Sequence, residues 1–236
     1  MQSTTPTNNP PSNRLNKHLA LQLGVSRREA DDMIRKGDVD INNVQALLGA
    51  RFTDGDTISV RGKIIRDDTT YQYLALYKPV GYVCSRRAQD DNPTIYALLP
   101  SKYHNLKPVG RLDRDSSGII LLSNDGDFAY QMTHPKFAKT KIYNLVLDSD
   151  LAPLHQQMIS DHGIALEDGV SSLQLERLNE TDRKSWIVTM KEGRNRQIRR
   201  TFAALGYTVT ELHRTNFGNY AIGDMKPGEF IITNIQ

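Results

Sequence analysis

The segment GRLDRDSSGIILL, residues 110–122, joins a polar loop to an apolar run and is the densest candidate for function in the chain. The loop places Asp113 and Asp115 among flexible Gly and Ser residues, with arginines interleaved. The run from Ile119 to Leu122 predicts a buried strand directly after the loop. Two carboxylates are therefore expected on a loop that leads into a strand.

Three interpretations of this loop compete. It is a polar turn with solvated charges, which is the commonest use of such residues, a calcium-binding loop, or the site of a catalytic carboxylate acting as nucleophile or base. The calcium interpretation fails because the twelfth position is Asn124 rather than Glu and no flanking helix pair is evident. A buried aspartate beside an arginine stays ionised, since the opposite charge favours the anion.

A second segment, KEGRNRQIRR at residues 191–200, concentrates positive charge. It has five basic residues and one acid, a local net charge of +4. The whole chain has 30 Lys and Arg against 27 Asp and Glu, a net charge of +3, so the remainder is close to neutral. A helix is predicted over residues 195–205, with Ile198, Phe202 and Leu205 on its buried side.

The arginines of that predicted helix face two ways. Arg196 and Arg200 point away from the apolar side, and Arg199 lies at its edge. One interpretation is a solvated helix face with arginines extended over apolar surface. The other is contact with phosphate groups, with Arg199 available to pair with a carboxylate in a cleft.

Composition excludes several classes of protein. The 236 residues include one cysteine, Cys84, so no intramolecular disulfide framework exists. No apolar run approaches the ~18 residues of a membrane span, and the first residues lack the basic and apolar regions of a secretory signal. The six histidines show no metal-ligand spacing, and no phosphate loop or dinucleotide fingerprint occurs. We therefore expect a cytoplasmic protein with no metal, no cofactor and no membrane partner.

The N-terminal part of the chain predicts a tail and a small folded region. Residues 1–13 contain nothing large to bury except Met1 and predict a disordered tail. Residues 14–61 predict two short helices followed by a few short strands. Ser26 and Glu29 form a capping box that marks the start of the second helix.

The rest of the chain predicts a larger region. A polar linker is expected over residues 62–72, followed by a second domain at residues 73–236. Strands and helices interleave irregularly there, which predicts an α+β fold rather than a repeating βαβ arrangement. The strands are predicted at residues 73–77, 119–122, 142–147 and 186–190, and the helices at residues 127–132, 153–159 and 195–205.

The small region carries its own basic residues. Arg14 and Lys17 lie on the first predicted helix, and Arg27 and Arg28 lie near the start of the second. Acidic residues are close by, so charge alone favours a charge-mixed surface helix. The alternative is a helix N-terminus that grips RNA phosphates.

Taken together, these motifs resemble two known families. RLNK at residues 14–17, SRREA at 26–30 and Gly55-Asp56 are similar to the RNA-binding domain first described in small-subunit ribosomal protein S-four. KPVG at residues 78–81, GRLDRDSSG, KIY at 141–143 and EGRNRQIRR follow the order of the four sequence blocks of RsuA/RluB-type pseudouridine synthases. The tail ELHRTNFGNYAIGDMKPGEF, residues 211–230, resembles the RluB branch.

The resemblance implies an α+β catalytic domain with a mainly antiparallel mixed sheet, flanking helices and a cleft for RNA. Asp113 would be the catalytic aspartate, and Tyr143 would stack on the target base. Arg199 would pair with Asp113, Ile198 would pack beneath, and Arg111 would support the flipped nucleotide. Further contacts to RNA are expected from the basic residues Arg14, Lys17, Arg27, Arg28, Arg194, Arg196 and Arg200.

The function implied is isomerisation of a specific uridine to pseudouridine in structured ribosomal RNA, with 23S preferred to 16S, by a monomer. The isomerisation leaves the composition of the nucleotide unchanged, so it needs no redox cofactor. The alternatives are a synthase acting on 16S rRNA or tRNA, a non-catalytic RNA-binding factor of ribosome assembly, and an RNA-directed hydrolase using Asp113 and Asp115. The intact set of Asp113, Tyr143 and Arg199 favours the synthase, because a purely binding protein would not need it.

Overall fold

A computed structural model gives the structure of the protein and describes residues 13–66, 70–86 and 91–235. The chain forms two compact units, which divide between Thr70 and Tyr71. The predicted disordered tail lies outside the described residues except for Asn13, which pairs with Phe52 in a short strand. Asn13 therefore belongs to the folded first unit rather than to a tail.

Two short helices begin the first unit, α1 over Leu15–Gln22 and α2 over Arg27–Arg35. Helix α1 ends before Gly24, whose φ of +69° suits a residue without a side chain. Ser26 and Glu29 form the capping box of α2, each side chain accepting a hydrogen bond from the amide of the other residue. Helices and strands share one apolar core, made by Leu15, Leu19, Ala30, Ile34, Val39, Ala46, Phe52 and Ile58.

The strands of the first unit are short and antiparallel. They are β1 (Asn13–Arg14), β2 (Val39–Ile41), β3 (Val44–Gln45), β4 (Arg51–Phe52), β5 (Ile58–Val60) and β6 (Lys63–Ile64). Strand β1 pairs with β4, and the other four form a sheet in the order β3-β2-β5-β6.

Strand β6 corrects the predicted linker, which was placed at residues 62–72. Arg61 and Gly62 have positive φ values of +51° and +76°, as in a two-residue hairpin turn. That turn folds Lys63 and Ile64 back onto β5. The polar composition of this stretch therefore concealed the last hairpin of the first unit.

Among its described residues, the second unit is built on one mixed sheet of nine strands. The strands of this unit are β7 (Tyr73–Lys78), β8 (Lys107–Val109), β9 (Ser117–Ser123), β10 (Lys141–Leu147), β11 (Ile164–Leu166), β12 (Gly169–Ser171), β13 (Gln174–Arg177), β14 (Ser185–Met190), β15 (Val209–Phe217), β16 (Tyr220–Ala221) and β17 (Phe230–Thr233). The main path of the sheet is β13-β14-β10-β15-β9-β7-β17, with β16 beside β15 and β8 beside β9, while β11 and β12 form a separate hairpin.

Among the described strands of the sheet, only β15 and β9 run parallel. The predicted α+β fold with a mainly antiparallel mixed sheet is therefore confirmed. Its helices are α3 (Gly126–Thr133), α4 (Pro153–Gln157), which continues as a π-helical turn over Met158–His162, and α5 (Gln197–Ala203). Each predicted strand lies within a longer observed strand, whereas α5 is shorter than predicted at both ends.

Strand β9 is buried on both faces because successive side chains point to opposite sides of the sheet. Ile120 and Leu122 belong to the larger core, which also holds Phe202 of α5. Ile119 and Leu121 belong to a second core, which includes side chains of α3. The apolar run that follows the aspartate loop is therefore the central strand that both layers of helices cover.

The parallel contact between β9 and β15 is unusually close at Gly118. A Cβ atom on Gly118 would lie 2.2 Å from the carbonyl oxygen of Arg214, and the φ of Gly118 is +115°. Both the space and the backbone conformation therefore require glycine. This contact joins the end of the aspartate loop to the strand that carries Arg214.

We expect Gly118→Ala to destabilise the protein by about 3 kcal/mol or more, because β9 and β15 must separate to admit the methyl group. Urea unfolding of the variant and the parent protein measures this difference. The matched control is Gly223→Ala, which also has positive φ, at +55°, but has nothing within 4 Å of the added Cβ. The control should lose only about 1 kcal/mol. Equal losses in the two variants would contradict the role of the close strand contact.

Candidate active site

The aspartate loop and the arginine segment line one cavity of about 290 Å³ in the second unit. Strands β10 and β15 supply another wall. Residues that are far apart in the sequence, from the aspartate loop, the arginine segment, β10 and β15, thus line one cavity near the parallel contact of β9 with β15. The cavity is lined by residues that include Asp113, Tyr143, Arg196, Ile198, Arg199 and Arg214.

The segment Lys78–Gly81 holds the aspartate loop in place. Lys78 is fully buried, and its Nζ donates hydrogen bonds to the carbonyl oxygens of Ser116 at 2.6 Å and Pro79 at 3.0 Å. The amide of Gly81 donates to the carbonyl oxygen of Arg114 at 2.8 Å. These bonds fix the loop backbone while the side chain of Asp113 stays 35% exposed toward the cleft.

Arg196 is the ion-pair partner of Asp113, with Nη1 at 3.4 Å from Oδ2. The same guanidinium donates two hydrogen bonds to Asp115, at 3.2 and 3.1 Å. Arg199 contacts Asp115 instead: its Nε lies 3.4 Å from Oδ2, and its Nη2 donates to the main-chain carbonyl at 2.9 Å. The predicted pair of Arg199 with Asp113 is therefore corrected to a cluster in which Asp115 is shared.

The start of α5 explains this correction. The prediction placed Arg196 on the helix, pointing away from the buried side. Helix α5 begins at Gln197, and Arg196 has a left-handed backbone with φ of +46°. Its side chain is therefore not on the helical wheel, and it turns toward the aspartates.

The charges of this cluster keep Asp115 ionised. Burial opposes the anion, but the hydrogen bond from Arg196 and the charges of Arg199 and Arg196 outweigh it, so the pKa of Asp115 lies below its ordinary value. The hydrogen bond to Asp115 raises the pKa of Arg196. Burial lowers the pKa of Arg199, against the opposing charge of Asp115. Arg196 thus links Asp113 to a second, firmly anionic carboxylate.

Tyr143 provides the aromatic wall of the cavity. It lies on β10 and is 8% exposed, and Ile198, in the first turn of α5, is 5% exposed. Leu212 lines the same cavity from β15. An aromatic ring set among apolar side chains at an open cavity is an arrangement on which a base can stack.

Arg194 and Arg200 are both paired with Asp168, and their expected role as RNA contacts stays a prediction. Arg194 donates to the carboxylate of Asp168 at 2.8 Å and to the carbonyl oxygens of Gly169 and Val170 at 2.9 Å. Arg200 donates to both carboxylate oxygens of Asp168, at 3.0 and 2.7 Å. Arg194 therefore fastens the segment before α5, and Arg200 fastens α5 itself, to the β11–β12 hairpin.

A second cavity, of about 490 Å³, borders the same aspartate loop. It shares Arg111, Asp113 and Arg196 with the first cavity and extends toward Arg114 and Cys84. Arg111 is exposed and lines both cavities. Asp113 therefore stands on a wall between two spaces, each bordered by arginine.

The basic residues of the first unit belong to a separate compact body. Arg14, Arg27 and Arg28 are exposed and Lys17 is half-buried. Arg27 and Arg28 occupy the first turn of α2, as predicted from the capping box.

Sequence reasoning missed three buried or half-buried cations of the cavity region: Lys78, Lys141 and Arg214. Lys78 and Lys141 stood in quoted motifs, and Arg214 stood in the tail HRTNFG, but nothing marked them as buried. Position was an available signal for the two lysines, because Lys78 and Lys141 each lie at an end of an apolar strand pattern, whereas Arg214 lies within a polar strand. Burial lowers the pKa of Lys78 to about 8.

Two absences complete the description, both limited to residues 13–66, 70–86 and 91–235. No group of three or more His, Cys, Asp or Glu side chains there is arranged to hold a metal ion. No helix in those ranges has the length and apolar character needed to cross a membrane.

Comparison with known proteins gives consistent results. Residues 72–204 match the family model described as RNA pseudouridylate synthase. Ribosomal large subunit pseudouridine synthase B of Bacillus subtilis is 33% identical over 222 residues, covering 92% of this chain and 90% of that protein. Ribosomal small subunit pseudouridine synthase A of Pasteurella multocida is 35% identical over 223 residues, covering 92% and 94%. A crystal structure of a pseudouridylate synthase has a TM-score of 0.67 and 31% identity, covering 94% of this chain and 96% of that one.

We expect the stability contributed by Lys78 to depend on pH. Its pKa is about 8 in the folded protein against an ordinary 10.5, so between these values the folded state binds fewer protons than the unfolded state. The unfolding free energy of the parent protein should therefore rise relative to Lys78→Met by about 3 kcal/mol from pH 8 to 10.5. Urea unfolding of both proteins across this range measures the difference. Parallel pH curves would show that Lys78 is not desolvated.

Proposed function

Because the chain belongs to the RNA pseudouridine synthase family and is an isomerase, we propose that it converts a uridine of ribosomal RNA to pseudouridine with Asp113 as its catalytic carboxylate. The observation that carries the proposal is the cavity itself. A carboxylate paired with arginine, Asp113, lines the same small space as a buried aromatic ring, Tyr143. The alternatives of a non-catalytic RNA-binding factor and a hydrolase are set aside by the family to which the chain belongs.

The chemistry breaks the bond from ribose C1′ to N1 of uracil and forms a bond from C1′ to C5. The base must first leave its stack, at a cost of a few kcal/mol. Stacking on Tyr143, worth about 1–3 kcal/mol, offsets part of this cost. Asp113 then meets the reacting nucleotide as nucleophile or base. Arg196 and Arg199 act through charge, Arg196 on Asp113 directly and Arg199 through Asp115.

The substrate we propose is a uridine in 23S rRNA of the large ribosomal subunit. Support comes from the tail at residues 211–230, which resembles the RluB branch, and from the Bacillus relative named for the large subunit. The Pasteurella relative is named for the small subunit, so a site in 16S rRNA is the second candidate. Such a substrate places the enzyme in the cytoplasm, and because one chain carries the whole cavity we propose that it acts as a monomer.

For the first unit we propose an RNA-binding role of the S-four type. The support is the exposure of Arg14, Arg27 and Arg28 and the position of the last two at the N-terminus of α2, where backbone amides and the helix dipole favour phosphate. Arg111 and Arg196 are proposed to contact RNA at the cleft of the second unit, next to the reacting nucleotide.

The Asp113→Asn variant is expected to form no pseudouridine while still binding RNA, because the amide keeps the shape of the side chain but cannot act as base or nucleophile. The measurement is carbodiimide modification of 16S and 23S rRNA followed by reverse-transcription stops. Cells lacking the gene are compared with the same cells supplied with the parent protein, with Asp113→Asn, or with Asp161→Asn. Asp161 is exposed and is not among the residues that line the cavity, so this control should restore the site.

One stop that disappears with the gene identifies the substrate. An active purified Asp113→Asn variant would refute the assignment of the catalytic carboxylate. If no stop in either rRNA depends on the gene, the proposed substrate is wrong.

Tyr143→Ala should reduce turnover by about 10- to 100-fold, since loss of stacking is worth about 1–3 kcal/mol per base. Tyr143→Phe keeps the ring and should retain much more activity than Tyr143→Ala. Single-turnover assays on the mapped rRNA measure both variants, with circular dichroism as the check on folding. Unchanged turnover in a folded Tyr143→Ala variant would argue against a stacking role.

A further inference from the structure

Arg214 is a buried cation that is incompletely neutralised by the described part of the protein. It is 2% exposed and lines the 290 Å³ cavity. Its Nε donates to the carbonyl oxygen of Ile119 at 2.9 Å, but its Nη2 is buried without a partner among the described residues. Native proteins rarely leave a buried charged donor unpaired, because it loses its water without gaining an acceptor. A ligand that enters the cavity can supply that acceptor.

An irregularity in the sheet brings Arg214 to this cavity. Lys141 lies opposite Phe217 and Tyr143 lies opposite Arg214, so two positions along β10 correspond to three along β15. In a regular strand, residues 214 and 217 would face opposite sides of the sheet. The bulge between Ile142 and Tyr143 places both on the cavity side. Arg214 is therefore the cross-strand neighbour of the ring on which the base is proposed to stack.

A second cation, Lys141, stands close to Arg214. The guanidinium of Arg214 lies 4.7 Å from the centre of the Phe217 ring, and Nζ of Lys141 lies 5.5 Å from it. Nζ of Lys141 donates to the main-chain carbonyl of Glu192 at 3.2 Å rather than to a carboxylate. Burial, and then the charge of Arg214, lower the pKa of Lys141. Two cations share this part of the cavity, and among the described contacts neither is paired with a carboxylate.

Among the described residues, the aspartates are contacted by Arg196 and Arg199 and form no ion pair with Arg214. The burial of Arg214 disfavours an RNA phosphate as the partner, since phosphates stay on the backbone and meet exposed groups such as Arg111. A base that enters the cavity brings its edge. Uracil presents two carbonyl oxygens, O2 and O4, which are acceptors, and a guanidinium only donates.

We propose that Arg214 donates a hydrogen bond to a carbonyl oxygen of the flipped uracil seated on Tyr143, and that Lys141 reinforces the positive charge there. This rests on the proposed function. When the C1′–N1 bond breaks, its electron pair stays on the base, whose negative charge spreads over N1 and both oxygens. C1′ is left electron-poor and is met by the Asp113 carboxylate. After C1′ bonds to C5, the C5 proton is released and N1 takes up a proton, so the composition is unchanged.

The hydrogen bond from Arg214 should strengthen as this charge develops, so it favours the transition state more than bound uridine. Loss of Arg214 is therefore expected to lower kcat as well as affinity. A merely structural arginine would not respond to the acceptor strength of one uracil oxygen, and this separates the two roles.

The experiment measures binding of the Asp113→Asn protein to the mapped rRNA fragment carrying uridine, 2-thiouridine or 4-thiouridine at the target. Sulfur is a weaker acceptor than oxygen. We expect one thio substitution to weaken binding about tenfold, which corresponds to one lost hydrogen bond to a charged donor. Adding Arg214→Met should weaken binding of the uridine RNA and abolish the difference between uridine and that thiouridine.

The controls keep the outcome decisive. Arg177→Met makes the same substitution at an arginine on edge strand β13 and should leave the thio preference unchanged. If Arg214→Met does not fold, Lys141→Met in the otherwise native enzyme leaves the backbone contacts of Arg214 intact and should lower kcat about tenfold. The proposal is overturned if Arg214→Met folds and keeps the thio preference. If only Lys141→Met folds, the proposal is overturned by an unchanged kcat in that variant. A parent enzyme that modifies no rRNA overturns the proposed function, and this inference with it.

Discussion

The structure of the second unit depends on one close contact between two backbones, Gly118 of β9 against Arg214 of β15. It is where the described sheet has its parallel pairing, and it leaves no room for a side chain at residue 118. On one side of the contact the chain runs back into the aspartate loop. On the other side β15 pairs with β10, which carries Tyr143. The proposed catalytic carboxylate of Asp113 and the aromatic wall of Tyr143 are thus connected through the main-chain pairing of β9 with β15 and of β15 with β10.

The arginines near this contact have different partners, although the sequence alone gives no means of telling those partners apart. Arg194, before α5, and Arg200, within α5, both bind Asp168 of the β11–β12 hairpin. Arg196 and Arg199 bind the aspartates of the loop. Arg214, from another strand, keeps a donor free. Much of the local charge of residues 191–200 is therefore balanced inside the protein, and the charge left for RNA is smaller than a count of basic residues suggests.

Sequence patterns predicted the features that depend on neighbouring residues along the chain, namely strand positions and a helix start. The apolar runs gave the positions of β7, β9, β10 and β14, and the capping box at Ser26 marked the start of α2. The partners in side-chain ion pairs were harder to predict from the sequence. The family resemblance assigned Arg199 to Asp113, and a helix predicted from residue 195 turned Arg196 away from the buried side. The left-handed backbone of Arg196 instead delays the helix and turns that side chain into the cleft. The start of the linker predicted over residues 62–72 was wrong for a similar reason, since positive φ at Arg61 and Gly62 forms a hairpin turn in a polar stretch.

Strand β15 shows why part of the cavity could not be predicted from the sequence. Its sequence, VTELHRTNF, is polar enough to look like a surface loop, yet it lies between β10 and β9 in the middle of the sheet. Its polar side chains are accommodated by long-range contacts, such as His213 with Ser117 at 2.9 Å and Arg214 with Ile119. A one-residue bulge then decides which of them face the cavity. Neither the partners nor the bulge leaves a periodic mark in the sequence. Polar side chains in a central strand reduce the stability that the apolar core contributes. Such a loss of stability is typical of functional sites, which fits the proposed role of Arg214 in binding the base.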